Sequence, residues 1–390
     1  MTAPEHAPET GRRLLGWLGI ASVSAVVAAW LMLVLHYQYQ IAWLGEYDFA
    51  ADVLFLAGVA GIVLTRSVQR FGSARVGATG LRLAFSLVVI ALTLIVAEFA
   101  VRFVFRNATS SGNTGDFIAR RGGGPSVSIN SLGFREREIE PKDPNRYRIA
   151  VIGDSFTWGQ GIEARERFSN LLEGFLGPRY EVLNFGIPGN NMPEHLNELD
   201  VVLKLLPDFV LLQLYINDFE TSNMKRPQTH PLLPGDLDSR IVRSSLLYQV
   251  LLGRWAQFQN AVGLAETYPH YMARNLRDPN SPDAREAFGM LRQFLEHTGA
   301  AGVPSGVVFF PAPDALGATL DDYPFGYLHE RARTICAEAH EPYLDLLAAL
   351  STFRPPQSMW VSPFDAHPNA KANRKAAFEI QREFAPVWHH

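Results

Sequence analysis

The sequence predicts a three-layer α/β/α sandwich built on a parallel sheet, preceded by an all-α transmembrane anchor. Three observations predict this. Apolar stretches with almost no charge crowd the chain before residue 106, and a run of small polar residues follows at 107–124. From Arg148 onward, short apolar runs alternate with longer amphipathic ones, the pattern of a parallel sheet covered by helices on both faces. A chain of 390 residues is long enough for two units. The expected division is an anchor of about three helices at 1–107, a linker and lead-in at 108–145, and an α/β domain at 146–390 with a helical insertion at 219–283.

The anchor comes first. Leu14 to Leu35 carries no charge for about 22 residues, enough to cross a hydrocarbon core of about 30 Å as a helix. Phe49 to Thr65, about 17 residues with Asp52 near its start, is shorter. Leu83 to Val101 is about 19 residues, with Glu98 near its end. A cleaved signal peptide is the other reading of the first stretch, but the two later ones would anchor the chain anyway. A buried or re-entrant helix is the other reading of the second. Arg12 and Arg13 precede the first stretch, and Arg66, Arg70, Arg75 and Arg82 lie between the second and third. The segment 36–48 has Glu46 and Asp48 but no Lys or Arg. Positive residues remain on the cytoplasmic side, so the N-terminus is expected inside and everything after about residue 106 outside. Arg102 and Arg106 run against this but are fewer than the four inner arginines. Glu98 and Arg102, four apart on one helix, are expected to pair locally.

Residues 107–124, with a glycine triplet at Gly122, Gly123 and Gly124, read as a flexible tether. No Gly-Lys-Ser/Thr follows the triplet, so it is not a phosphate loop. Strands are expected at 148–152, 180–185, 208–214, 305–310 and 343–345, and helices at 163–175, 192–206, 284–298 and 324–339. In parallel sheets ligands bind beyond the carboxyl ends of the strands. Ser155, Gly189, Asn217 and Asp314 each fall just past an expected strand end, and so on one rim. Residues 219–283 interrupt the alternation with Pro227, Pro231 and Pro234 and an apolar stretch at 241–262. A lid over the site and a structural cap are equally compatible with them.

Composition excludes several classes. With 35 basic and 39 acidic residues and no basic block, nucleic-acid binding has no electrostatic support. One cysteine, Cys336, excludes an internal disulfide framework and a cysteine-based zinc finger. His329, Cys336 and His340 share a helical face, but without His-Glu-x-x-His they read as packing residues. No metal or organic cofactor is expected.

Two short segments carry the chemistry: Gly153-Asp154-Ser155 after the first expected strand, and Asp365-Ala366-His367-Pro368-Asn369 near the end of the chain. A serine hydroxyl needs a base to take its proton, and an imidazole is an effective base when a partner fixes its tautomer. Those segments supply all three parts. With Asn184-Phe185-Gly186-Ile187-Pro188-Gly189 and Asn217-Asp218 between them, the order resembles the SGNH/GDSL hydrolases over roughly residues 146–385. Asn130-Ser131-Leu132-Gly133-Phe134-Arg135 is similar to the lead-in of membrane-attached bacterial members.

The resemblance implies Ser155 as nucleophile, His367 as general base, Asp365 as its orienting carboxylate, and an oxyanion hole from the Ser155 and Gly189 N–H groups and the Asn217 amide. It implies a flavodoxin-like sheet and a membrane-anchored serine esterase. The enzyme would act on O-acetyl groups of envelope glycans or on lipid esters, from a bacterial inner membrane with its catalytic part periplasmic or extracellular. Two positions depart from the pattern. Phe364 stands where many members carry the acid three residues before the histidine, which leaves a Ser-His dyad open beside the triad; and Tyr215 replaces a frequent glycine two residues before Asn217, narrowing the pocket or changing its polarity. Two other readings stay open: acyl transfer to a sugar hydroxyl with a membrane-protein partner, and a non-catalytic subunit of a membrane complex. Asp314 is expected to be a turn residue.

Overall fold

The structure is a computed structural model that describes residues 9–38, 48–71, 73–104, 127–227, 232–235, 241–242, 244–317, 319–362 and 365–388. The expected tether at 107–124, most of the loop at 36–48, Arg106, Pro231 and Phe364 lie outside the described residues.

The chain forms two compact units. One consists of Met1–Arg106 and Thr229–Ala265, the other of Asn107–Gln228 and Glu266–His390. The expected insertion is therefore divided: its central part groups with the N-terminal helices, and its ends group with the α/β unit. The chain passes between the units three times, so a single tether does not describe their connection.

In the first unit, α1 (Glu9–Tyr37), α2 (Asp48–Phe71) and α3 (Ser73–Val104) are long. Each holds a stretch apolar and long enough to cross a membrane: Gly16–Leu35, Asp48–Arg70 and Ser86–Phe103. The second is 23 residues rather than about 17, because the helix continues through Arg66 and Arg70. Leu56, Val63, Leu87, Ile90 and Val96 are exposed, as side chains facing hydrocarbon would be. Glu98 and Arg102 pair at 2.6 Å as expected, but Glu98 does more, as described below.

The second unit is a three-layer sandwich. Its elements are β1 (Tyr147–Gly153), α4 (Ser155–Trp158), α5 (Phe168–Leu176), β2 (Tyr180–Gly186), α6 (Met192–Leu203) and β3 (Phe209–Leu214). After the helix α7 (Leu246–Ala261) of the first unit come α8 (Tyr268–Leu276), α9 (Pro282–Ala300), β4 (Ser305–Phe309), α10 (Gly326–Glu338) and β5 (Tyr343–Asp345). The chain closes with α11 (Leu347–Leu350), a two-stranded antiparallel ribbon of β6 (Trp360–Ser362) and β7 (Asp365–Pro368), and α12 (Ala370–Trp388).

The five-stranded sheet has the order β2-β1-β3-β4-β5, and every pair is parallel. Both faces are covered, so the strands read as continuous apolar runs rather than alternating ones. All seven residues of β2 and all six of β3 are buried. One face packs Ile152, Leu183, Leu212 and Val307 against α6, α9 and α10; the other packs Val151, Val182, Leu211 and Val308 against α5 and α12. The chain reverses its winding direction between β1 and β3, and a crevice opens there at the carboxyl ends.

Two expected helices change. The stretch at 163–175 is a 3-10 turn at 164–166 followed by α5, because Arg167 is extended between them. The 192–206 helix stops at Leu203, and Leu206 takes a positive φ of 55° before Pro207. The helix cannot continue into a proline, whose ring excludes the helical conformation before it.

Candidate active site

Ser155 is the first residue of α4, two residues past β1, and Asp154 caps that helix by accepting the Phe156 N–H at 2.9 Å. Four buried groups fix this turn. Gln213 Oε1 of β3 accepts from Thr157 Oγ1 at 2.7 Å, from Thr157 N at 3.2 Å and from Asp154 N at 3.3 Å. Asn184 of β2 donates to Thr157 O at 2.6 Å. Gly186 lies where a side chain would collide with the Thr157–Trp158 backbone. Arg135 from the lead-in donates to Trp158 O at 3.1 Å, Gly159 O at 2.9 Å and Ile162 O at 2.9 Å, filling the carbonyl end of the short helix. The lead-in segment is thus part of the site's foundation. Its Asn130 Oδ1 accepts from Leu132 N at 3.1 Å and Phe134 N at 3.0 Å, a side-chain turn that aims Arg135 inward.

His367 lies on β7, 212 residues from Ser155, and its Nε2 is 2.7 Å from Ser155 Oγ. Its Nδ1 is 2.5 Å from Asp365 Oδ1, which also accepts the His367 backbone N–H at 3.0 Å. Asp365 is buried. The spacing of two residues works because Asp365 folds back on its own strand and meets the imidazole from below. With the outer imidazole nitrogen facing the hydroxyl and the inner one facing a carboxylate, the tautomer with hydrogen on Nδ1 is favoured, and Nε2 is free to accept a proton.

Gly189 and Asn217 occupy the same rim. Gly189 follows β2 with φ +84°, the left-handed region that suits glycine. Asn217 sits in a 3-10 turn, Ile216–Phe219, after β3. Its Oδ1 is buried without a hydrogen-bond partner among the described residues. Tyr215 stacks on Phe156 at 4.3 Å, and Phe156 lies 5.3 Å from the His367 ring, so the departure from glycine builds an aromatic wall beside the imidazole. Asp314 is an exposed residue of the 3-10 turn Pro313–Ala315, as expected of a turn.

A fully buried histidine near the site is not anticipated by the sequence pattern. His195 of α6 has Nε2 3.1 Å from Asp218 Oδ1 and Nδ1 3.3 Å from Glu198 Oε2. Glu198 in turn accepts from Asn190 Nδ2 at 2.6 Å, and Asp218 accepts from Tyr215 N at 2.6 Å. The chain of bonds runs from the residue after Gly189 to the residue after Asn217. A neutral imidazole has one N–H, so two facing ionised carboxylates favour the imidazolium, while burial raises both the Asp218 and the Glu198 carboxyl. Burial opposes that charge, but Asp218 and Glu198 outweigh it and push the His195 pKa up to about 10. Burial also raises the Asp154 carboxyl, to about 7, helped by the Asp218 charge. The available signal was Glu194-His195-Leu196-Asn197-Glu198, a histidine on the buried face of an amphipathic helix with an acid three residues on. His329, by contrast, is spent on Asp345 at 2.9 Å and Tyr323 at 3.3 Å, and no cluster of three metal-ligating side chains occurs among the described residues.

Residues 151–375 match the model of the GDSL-like lipase/acylhydrolase family, and the chain belongs to that family, a family of ester-hydrolysing serine hydrolases. An acetylxylan esterase of Xylanibacter ruminicola is 32% identical over 104 residues, which is 24% of this chain and 22% of that protein. Among solved structures, the fold resembles that of TesA, with 16% identity, a TM-score of 0.40, and coverage of 62% of this chain and 99% of the other. It also resembles an acetylxylan esterase of Geobacillus stearothermophilus, with 17% identity, a TM-score of 0.38, and coverage of 63% and 96%.

Proposed function

We propose that the protein is a membrane-anchored serine esterase that removes small acyl groups, acetyl foremost, from hydroxyls of an envelope glycan. The Ser155–His367–Asp365 hydrogen-bonded chain carries the reading, above all the 2.7 Å between His367 Nε2 and Ser155 Oγ. Ser155 Oγ attacks the ester carbonyl carbon while its proton passes to His367 Nε2. The carbonyl oxygen becomes an oxyanion, met by the Ser155 and Gly189 N–H groups and the Asn217 amide. The ester C–O bond then breaks, and His367 gives its proton to the departing sugar oxygen. Water, deprotonated by His367, attacks the acyl-serine; the acyl C–Oγ bond breaks, His367 returns the proton to Ser155 Oγ, and the carboxylic acid leaves. Asp365 holds the imidazole and stabilises its charged form throughout.

The Phe156–Tyr215 wall beside His367 favours a short acyl chain, and the similarity to an acetylxylan esterase supports a sugar as the alcohol. Three apolar helices and the arginines between the second and third support an N-terminus in the cytoplasm and the site on the outer side. The test is labelling of the full-length protein by a fluorophosphonate, with release of p-nitrophenol from p-nitrophenyl acetate. Both signals vanish in Ser155→Ala if the reading is right. Labelling that survives this substitution, or p-nitrophenol release only when a sugar acceptor is added, would overturn it.

A further inference from the structure

The part of the insertion that groups with the N-terminal helices contains α7, which begins against α3. Glu98 of α3, 1% exposed, accepts from Ser245 Oγ at 2.7 Å, Leu246 N at 2.9 Å and Leu247 N at 3.0 Å. Arg102 completes the joint by holding Glu98 at 2.6 Å and donating to Ser244 O at 3.0 Å. A carboxylate inside an apolar span is costly unless its charge is met, and a helix N-terminus offers both free N–H groups and a favourable dipole. Glu98 is five residues before the end of the apolar stretch Ser86–Phe103, or roughly 7–8 Å along the helix. The start of α7 is thereby fixed near the boundary between hydrocarbon and headgroups.

One stripe of α7 is apolar and largely exposed. Leu251, Trp255, Phe258 and Val262 follow one another at spacings of four, three and four, which keeps them on one stripe of the helix. Leu251, Phe258 and Val262 are 47%, 50% and 52% exposed, and Leu264 just beyond is 58% exposed. Gln249, Gly253, Gln257 and Asn260 lie on the opposite side. Arg254, the single charged residue between 246 and 261, flanks the apolar stripe, where a long stem with a charged tip suits a headgroup layer. At 16 residues α7 is about 24 Å long, too short to span about 30 Å of hydrocarbon.

We propose that residues 246–264 form a monotopic element, lying in the outer interface of the same bilayer that α1–α3 cross, with the Leu251–Trp255–Phe258–Val262 stripe in the acyl chains. This rests on the reading that α1–α3 span a membrane. The occupant of the stripe is lipid, because α7 is bonded through Glu98 and Arg102 to a candidate span whose neighbouring Phe99 and Phe103 are also exposed, 50% and 69%.

The experiment uses the full-length protein in liposomes, with nitroxide labels on single cysteines in a Cys336→Ala background. Labels go at Leu251, Phe258 and Val262, at Gln257 and Asn260 opposite, at Val89 within a span, and at the exposed Arg165 as the aqueous control. Circular dichroism melting confirms that each variant is folded. Expected is a several-fold higher ratio of oxygen to nickel-chelate collision at 251, 258 and 262 than at 257 and 260, with 89 high and 165 low. If 251, 258 and 262 are as open to the chelate as 165 while 89 is lipid-exposed, the interfacial helix falls and the spans stand. Chelate access at 89 as well removes both readings. Mutual broadening between labels, with low access to either reagent, means that a second copy of the chain covers the stripe and overturns the lipid assignment.

Discussion

Replacing His195 by glutamine probes how the two halves of the proposed oxyanion hole, Gly189 and Asn217, are held. His195 sits between Asp218, the residue after Asn217, and Glu198, which accepts from Asn190, the residue after Gly189. A glutamine can face only one of them and carries no charge. Breaking one member out of a buried ion pair costs about 3–5 kcal/mol, because an uncompensated charge stays behind. The pH dependence carries a sign that a packing defect would not produce. His195 is pushed up to about 10 from 6.5, so its stabilisation is complete below pH 6.5 and is lost as pH rises through 10. The melting temperature of the wild type should fall across that window, and that of His195→Gln should not follow it. Parallel curves for the two proteins would refute the imidazolium assignment. For activity, the loss should appear in kcat and stay below the roughly 10²–10³ of removing one oxyanion donor outright. In an Asn217→Ala background the same substitution should add little, because its effect is relayed through that amide. Full additivity in the double-mutant cycle would leave His195 a merely structural residue.

Other expectations follow from the same geometry. Asn217→Ala should lower kcat on p-nitrophenyl acetate by roughly 10²–10³ with little change in KM, read by steady-state kinetics. Asp365→Asn should keep the fold and the hydrogen-bond distance but present the wrong tautomer, lowering kcat by about 10⁴; a loss below tenfold would favour a Ser-His dyad. Arg135→Met should destabilise the α/β unit by about 3 kcal/mol or more in denaturant unfolding, since three buried carbonyls lose their donor at about 1–3 kcal/mol each, partly compensated by relaxation. Gly186→Ala should abolish fluorophosphonate labelling, because a methyl there meets backbone of the nucleophile turn rather than a movable side chain.

Tyr215 shows where sequence reasoning stops short. Its departure from glycine was visible, but whether it narrowed the pocket or changed its polarity depended on which way the ring turned. The ring stacks on Phe156, whose own ring lies beside His367. The second apolar stretch behaves similarly: its length was underestimated because two arginines inside α2 look like a stop signal. The helix itself continues through both of them. Glu98 was readable as a partner of Arg102 from their spacing of four; that it also caps a helix nearly 150 residues away was not, since no local pattern encodes a bond between such distant elements.

The sequence by itself determined the alternation of buried strands and amphipathic helices, the apolar stretches of the anchor, and the serine, glycine and asparagine at strand ends. These are short-range properties: periodicity, hydropathy and turn chemistry are written in neighbouring residues. Only the tertiary structure decided that His367 reaches Ser155, that Arg135 and Gln213 brace the Ser155 turn, that His195 sits between two acids, and that half the insertion groups with the N-terminal helices. Those outcomes depend on strand order and on which polar groups are left to satisfy one another once water is excluded. Such a choice is made by the packed molecule as a whole and leaves no local trace in the chain.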